Sequence, residues 1–125
     1  MTLKRHNRRR SKNDTVNDLR YNEGMLESRL NANQQQALRR FCKENGVTKL
    51  AFFGSILTED FKNESDVDIM VEFAPGRTPG YAFFGLADEL EAILGRKVDL
   101  TTYGGLHPYI KDDVLRSAEL YYEHS

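Results

Sequence analysis

The sequence predicts an α/β (α+β) domain in which short buried strands alternate with amphipathic helices. Three observations predict it. Two apolar runs, at 50–53 and 69–71, are rich in aromatic and branched residues and bounded by turn formers, the pattern of buried strands. Apolar residues recur at helical spacing over 34–45 and 81–94, and each stretch is closed by a glycine. A chain of 125 residues is one domain, long enough for a single modest core.

From the N-terminus, residues 1–24 lack apolar periodicity and hold seven Lys/Arg against three acids, the composition of a solvated, structureless tail. The folded domain is expected over 25–125. Asn33 can cap a helix over 34–45, with Ala37, Leu38, Phe41 and Cys42 as its apolar stripe and Gly46 as its terminator. Cys42 reads as a small buried hydrophobe, and a lone cysteine excludes a disulfide framework. Val47–Phe53 is the first strand, 55–60 a short helix, 61–65 a turn and Val67–Phe73 the second strand. After a Gly/Pro loop, Phe83, Leu86, Ala87, Leu90, Ile93 and Leu94 mark a helix over 81–94 that Gly95 ends. Val98–Thr102 is a third strand, 101–107 a Gly-rich loop, and Pro108 suits the first turn of a helix over 108–118. Residues 120–122 close the chain as a short extended segment.

The chemistry concentrates in 50–73, LAFFGSILTEDFKNESDVDIMVEF. Asp66 and Asp68 stand two apart, so on a strand they project to one side. Two carboxylates so close repel one another and call for a cation between them. Oxygen-only ligands favour a hard one such as Mg2+. Gly54-Ser55 supplies the complement: a glycine at a strand end lets backbone approach a ligand, and the N–H groups of a following helix favour a phosphate. A phosphate seat facing a metal-binding carboxylate pair is what phosphoryl or nucleotidyl transfer needs. Either half is common on protein surfaces; the ordered combination is far more specific.

That combination, Gly54-Ser55, ten residues, then Asp66-Val67-Asp68, resembles the signature of the DNA polymerase β-like nucleotidyltransferase superfamily. Val71-Glu72-Phe73, Gly76-Arg77-Thr78-Pro79-Gly80 and Lys97-Val98-Asp99-Leu100 resemble the minimal nucleotidyltransferases (MNT), many of them antitoxins paired with a HEPN-domain ribonuclease toxin. The resemblance covers roughly 30–123 and implies a polymerase β-like fold, a small mixed sheet flanked by helices. It implies that Asp66, Asp68 and Asp99 are catalytic and hold two Mg2+ ions, and that Gly54 and Ser55 seat the nucleotide phosphates. Ser65 and Arg77 are expected nucleotide contacts. The implied reaction is adenylylation of a tyrosine on a HEPN toxin, with ATP as substrate. In one place the sequence departs from the pattern: Thr58 stands where the superfamily often has Arg, and Glu59 and Asp60 add negative charge.

Other readings remain open from the residues alone: an antitoxin that neutralises by binding with weak catalysis, or a small-molecule transferase acting on an aminoglycoside-like hydroxyl. The overall net charge of −1 combines the basic tail with an acidic body, which suits nucleic acid poorly. Nucleic-acid binding is therefore expected, if anywhere, through residues 1–24. No apolar run is long enough to span a membrane, and the cytoplasm is the expected compartment.

Overall fold

The computed structural model describes residues 20–21, 25–62 and 64–124. In chain order its elements are β1 (Arg20–Tyr21), α1 (Met25–Arg29), α2 (Ala32–Asn45), β2 (Val47–Phe53), β3 (Val67–Phe73), α3 (Ala82–Leu94), β4 (Val98–Thr102), α4 (Pro108–Ser117) and β5 (Glu119–Glu123). Two 3₁₀ turns lie between them, at Gly54–Leu57 and Tyr103–Gly105. The strands form one mixed sheet in the order β1-β5-β2-β3-β4. β2 runs antiparallel to β3 and β5, while β4 is parallel to β3 and β1 to β5. A parallel neighbour demands a crossover, and α3 supplies it between β3 and β4. The α/β expectation of a small mixed sheet flanked by helices holds.

Strand alternation divides the core into two layers. Leu50, Phe52, Val67, Ile69 and Val71 face one way and pack with Leu26, Leu38, Phe41, Leu86, Leu90 and Leu94 from α1, α2 and α3. Ala51, Met70 and Leu120 face the other way, against Val114 and Leu115 of α4 and the adjoining Ala118. Since Val67 and Ile69 belong to the helix-covered face, Asp68 between them belongs to the second, less covered one.

Four local expectations change. The cap of α2 is Asn31, not Asn33: its side chain accepts from Gln34 N at 2.8 Å, and Gln34 Oε1 accepts from Asn31 N at 2.9 Å. This reciprocal box starts the helix earlier and leaves Leu30, buried, just ahead of the cap. The helix expected over 55–60 is the 3₁₀ turn Gly54–Leu57. The closing extended segment is a full strand, β5, inserted between β1 and β2. Arg20–Tyr21 lie inside the stretch expected to be structureless, yet pair with Glu119 and Leu120; residues 1–19 and 22–24 lie outside the described residues.

Gly46 ends α2 as expected, in the left-handed conformation at φ 71° with its N–H bonded to Cys42 O. Cys42 is fully buried, and that burial pushes its thiol up to about 12, so it is inert core. Lys49 lies between Glu72 and Glu123 across three strands, at 3.5 and 3.6 Å, pinning the register at the end of the sheet away from Gly54. Among the described residues no helix is long and apolar enough to cross a membrane.

Candidate active site

Strand register brings the sequence-predicted residues together. Asp68 on β3 is the register partner of Asp99 on β4, so the two carboxylates stand side by side on one face of a parallel pair. Phe53 on β2 is the partner of Asp68 on its other side, so Gly54, the next residue, falls against that carboxylate. Asp66 is the second residue before Asp68 and immediately precedes β3, exposed at the sheet's mouth. Four residues from three strand ends thus converge although they span 46 positions in sequence, from 54 to 99.

The fit at Gly54 is close. Its φ is +81°, a conformation side chains rarely adopt, and a Cβ built there would overlap the Asp68 carboxylate oxygen. The glycine is therefore required twice, by its turn and by the neighbour it touches. Beyond it the chain turns tightly: Ser55 O accepts from Thr58 N at 2.8 Å and from Thr58 Oγ1 at 2.9 Å. A four-residue turn has little dipole, so any anion held here would rely on individual backbone N–H groups.

Electrostatics mark Asp68 as the strained member. Partial burial pushes its carboxyl above the usual range, and repulsion from Asp99 and then Asp66 pushes it further. Among the described residues no basic side chain pairs with any of the three. Among the described residues no group of three or more His, Cys, Asp or Glu side chains, the Asp66, Asp68 and Asp99 set included, is arranged to hold a metal ion. The three side chains are all carboxylates, and among the described residues no cation is paired with them, which is the oxygen-only chemistry that suits a hard dication.

The other expected residues fare differently. Ser65 adjoins Asp66, and its hydroxyl accepts from Lys62 N at 2.9 Å while its own N–H donates to Lys62 O at 3.0 Å, closing the turn into β3. Arg77 is not brought to the cluster. It lies past the far end of β3, roughly 20 Å along the strand, where its Nη2 donates to Glu44 O at 3.2 Å at the end of α2. Its side chain also fills the space beside Gly46. The structure gives it a helix-capping role, set by the loop 74–80 folding back over α2.

Sequence reasoning missed three residues behind the site. Arg29 of α1 donates through Nη1 to Ile56 O at 2.8 Å and to Thr58 O at 2.7 Å, so a guanidinium reaches the Thr58 backbone from another element. Phe61 has Arg29 and Arg96 against its ring, at 5.1 and 4.3 Å from the centroid. Arg96 Nη1 donates to Lys62 O at 2.8 Å. Phe61, alone among polar residues, was the one sequence signal. These side chains wall a cavity of about 410 Å³ on the helix-covered face, with Gln34, Ile56 and Leu94. Alternation places the three carboxylates on the opposite face, so that cavity is not where they converge.

Comparison with known proteins follows the same lines. The sequence model of the nucleotidyltransferase domain matches residues 35–121. Protein adenylyltransferase MntA of Thermococcus cleftensis is 38% identical over 92 residues, covering 73% of this chain and 87% of that protein. Among solved structures, a toxin-antitoxin with AMP-PNP superposes with TM-score 0.61 at 20% identity, covering 73% of this chain and 74% of that one. A tri-AMPylated HEPN toxin from Shewanella oneidensis in complex with MNT antitoxin gives a chain with TM-score 0.55 at 19% identity, covering 73% and 71%. At these identities the two structures speak for the fold.

Proposed function

This chain belongs to the nucleotidyltransferase domain family, as a relative of the MntA protein adenylyltransferases, and we propose that it transfers AMP from ATP to a tyrosine hydroxyl of a HEPN toxin and so acts as its antitoxin. The observation that carries the chemistry is the register pairing of Asp68 with Asp99, with Gly54 pressed against Asp68 and Asp66 beside it. The names of the similar proteins, adenylyltransferase and AMPylated toxin with antitoxin, support the choice of donor and acceptor.

In this reading Asp66 and Asp68 would hold two Mg2+ ions, with Asp99 as third ligand or as acceptor of the tyrosine proton. Bound Mg2+ would neutralise charge on the triphosphate and on the attacking oxygen. The backbone at Gly54 and Ser55 would seat the β- and γ-phosphates, and Ser65 would hold the turn beside them. The tyrosine oxygen attacks the α-phosphorus, the bond from that phosphorus to the β-phosphate oxygen breaks, and pyrophosphate leaves with the electron pair. The tyrosine proton passes to Asp99 or to water.

The test is intact mass spectrometry of the partner toxin after incubation with this protein, ATP and Mg2+. One or more AMP additions are expected, absent with Asp66→Asn. A stable complex without mass gain would instead support the binding-only antitoxin, which the neutral Thr58 and the acidic Glu59 and Asp60 favour. Neutralisation by Asp66→Asn in cells would then match the wild type.

A further inference from the structure

The loop joining the Gly-Ser turn to the Asp-x-Asp strand is held from behind by a cluster of three side chains. Phe61 is its hub, partly buried among polar loop neighbours. Arg29 bridges Ile56 O and Thr58 O, two carbonyls at the C-terminal end of the Gly54–Leu57 turn, and lies over the Phe61 ring. Arg96 lies over the same ring and ties Lys62 O. Arg96 belongs to the turn between α3 and β4, which is anchored independently: Glu91 Oε2 accepts from Val98 N at 3.0 Å, and Lys97 O from Val67 N at 2.9 Å.

These bonds therefore join three segments, each leading into one part of the site: the turn carrying Gly54 and Ser55, the loop entering Asp66, and the turn entering Asp99. Each cation–ring contact contributes more as it is removed from water, and each Arg bond satisfies a carbonyl that an irregular loop leaves open. We propose that Arg29, Phe61 and Arg96 are positioning residues that set the spacing between the phosphate seat and the three carboxylates. The inference rests on the nucleotidyl-transfer reading and names no contact between these residues and substrate. Its physical content is that loop geometry, fixed on the helix side of the sheet, decides alignment on the carboxylate side.

The variants are Arg29→Lys, Phe61→Leu and Arg96→Lys in the full chain. Lysine keeps the charge but has no planar guanidinium to lie over the Phe61 ring while its N–H groups reach the carbonyls; leucine keeps apolar volume without the ring face. Three quantities are measured: melting temperature, Mn2+ affinity by electron paramagnetic resonance titration, and kcat and KM for adenylyl transfer to the partner. Supporting residues around a metal site typically change affinity or activity by roughly 10–100-fold. We expect Mn2+ affinity and kcat to fall by about tenfold or more in each folded variant, with KM for ATP changed less. Three folded variants with wild-type Mn2+ affinity and kcat, and only a lowered melting temperature, would overturn the inference and leave the transfer reading standing. A wild-type protein that binds no Mn2+ and transfers no AMP would overturn both. If Phe61→Leu does not fold, the two lysine variants decide.

Discussion

Gly54 and Asp68 constrain each other, and that pair gives the sharpest local predictions. Alanine at 54 meets both an unfavourable positive φ and the Asp68 carboxylate. Gly54→Ala should cost about 1–2 kcal/mol from backbone strain, plus whatever displacing Asp68 adds, and should lower transfer activity. Gly104→Ala, with ordinary φ and open space around it, should stay within about 0.5 kcal/mol. Urea denaturation of both variants checks the contrast. Asp68 is the reverse case: its ionised form is disfavoured in the folded chain by burial and by Asp99 and Asp66. A carboxyl raised on folding subtracts stability above its folded pKa, and the subtraction disappears as pH falls through that value. Asp68→Asn should therefore raise the melting temperature at pH 7 without divalent ions, lose that advantage on acidification, and abolish transfer. A melting temperature lowered at pH 7 would refute the electrostatic account.

The elements that frame the site depend on terminators and neighbours more than on propensity. Removing the reciprocal box at the start of α2 by Asn31→Ala should cost about 1 kcal/mol. Asn33→Ala, already inside the helix and exposed, should cost little or help slightly, because alanine is the better helix former. Comparing the two by thermal denaturation tests which asparagine is the cap. β5 carries more weight than its terminal position suggests, since it is the direct neighbour of β2, whose end carries Gly54. Leu120, buried on the α4 face, joins β5 to that layer. Leu120→Ala should cost roughly 2–5 kcal/mol, as truncations of buried leucine do, and an equilibrium denaturation midpoint would show it.

The domain is built unevenly about its sheet. Among the described residues three helices cover one face, whereas α4 with its adjoining turn packs over part of the other, and Asp66, Asp68 and Asp99 occupy the less covered part. Among the described residues that part of the sheet is open, as the proposed protein acceptor would require. The arrangement also leaves the folded chain carrying repulsion that a bound cation would relieve. Mg2+ should therefore raise the melting temperature of the intact protein, and more at pH 7 than near pH 4, where protonation of Asp68 competes with the ion. Chelation should reverse the shift, and Asp66→Asn should blunt it. Calorimetry at the two pH values measures this directly, and an equal shift at both would argue against carboxylate binding.

Much of this protein was legible in its residues. Alternating apolar runs with glycine stops located β2, β3, α3 and β4, because burial imposes a period of two on strands and near 3.6 on helices. Gly54-Ser55 and Asp66-Val67-Asp68 stood out because a close approach and a carboxylate pair each require particular residue types, and the fold sets Gly54 against Asp68. What the sequence could not decide were choices in which local options were nearly equal. Asn31 and Asn33 both have glutamine three residues on, and the buried Leu30 fixed the frame. Arg77 is one exposed arginine among several, and only the fold of 74–80 carried it to α2 rather than to the carboxylates. Arg29, Phe61 and Arg96 stand 32 and 35 positions apart in sequence and share no periodicity, so only packing could assemble them. Local chemistry is written in short strings of residues; long-range contact is decided by which surfaces bury together, and that is a property of the folded chain.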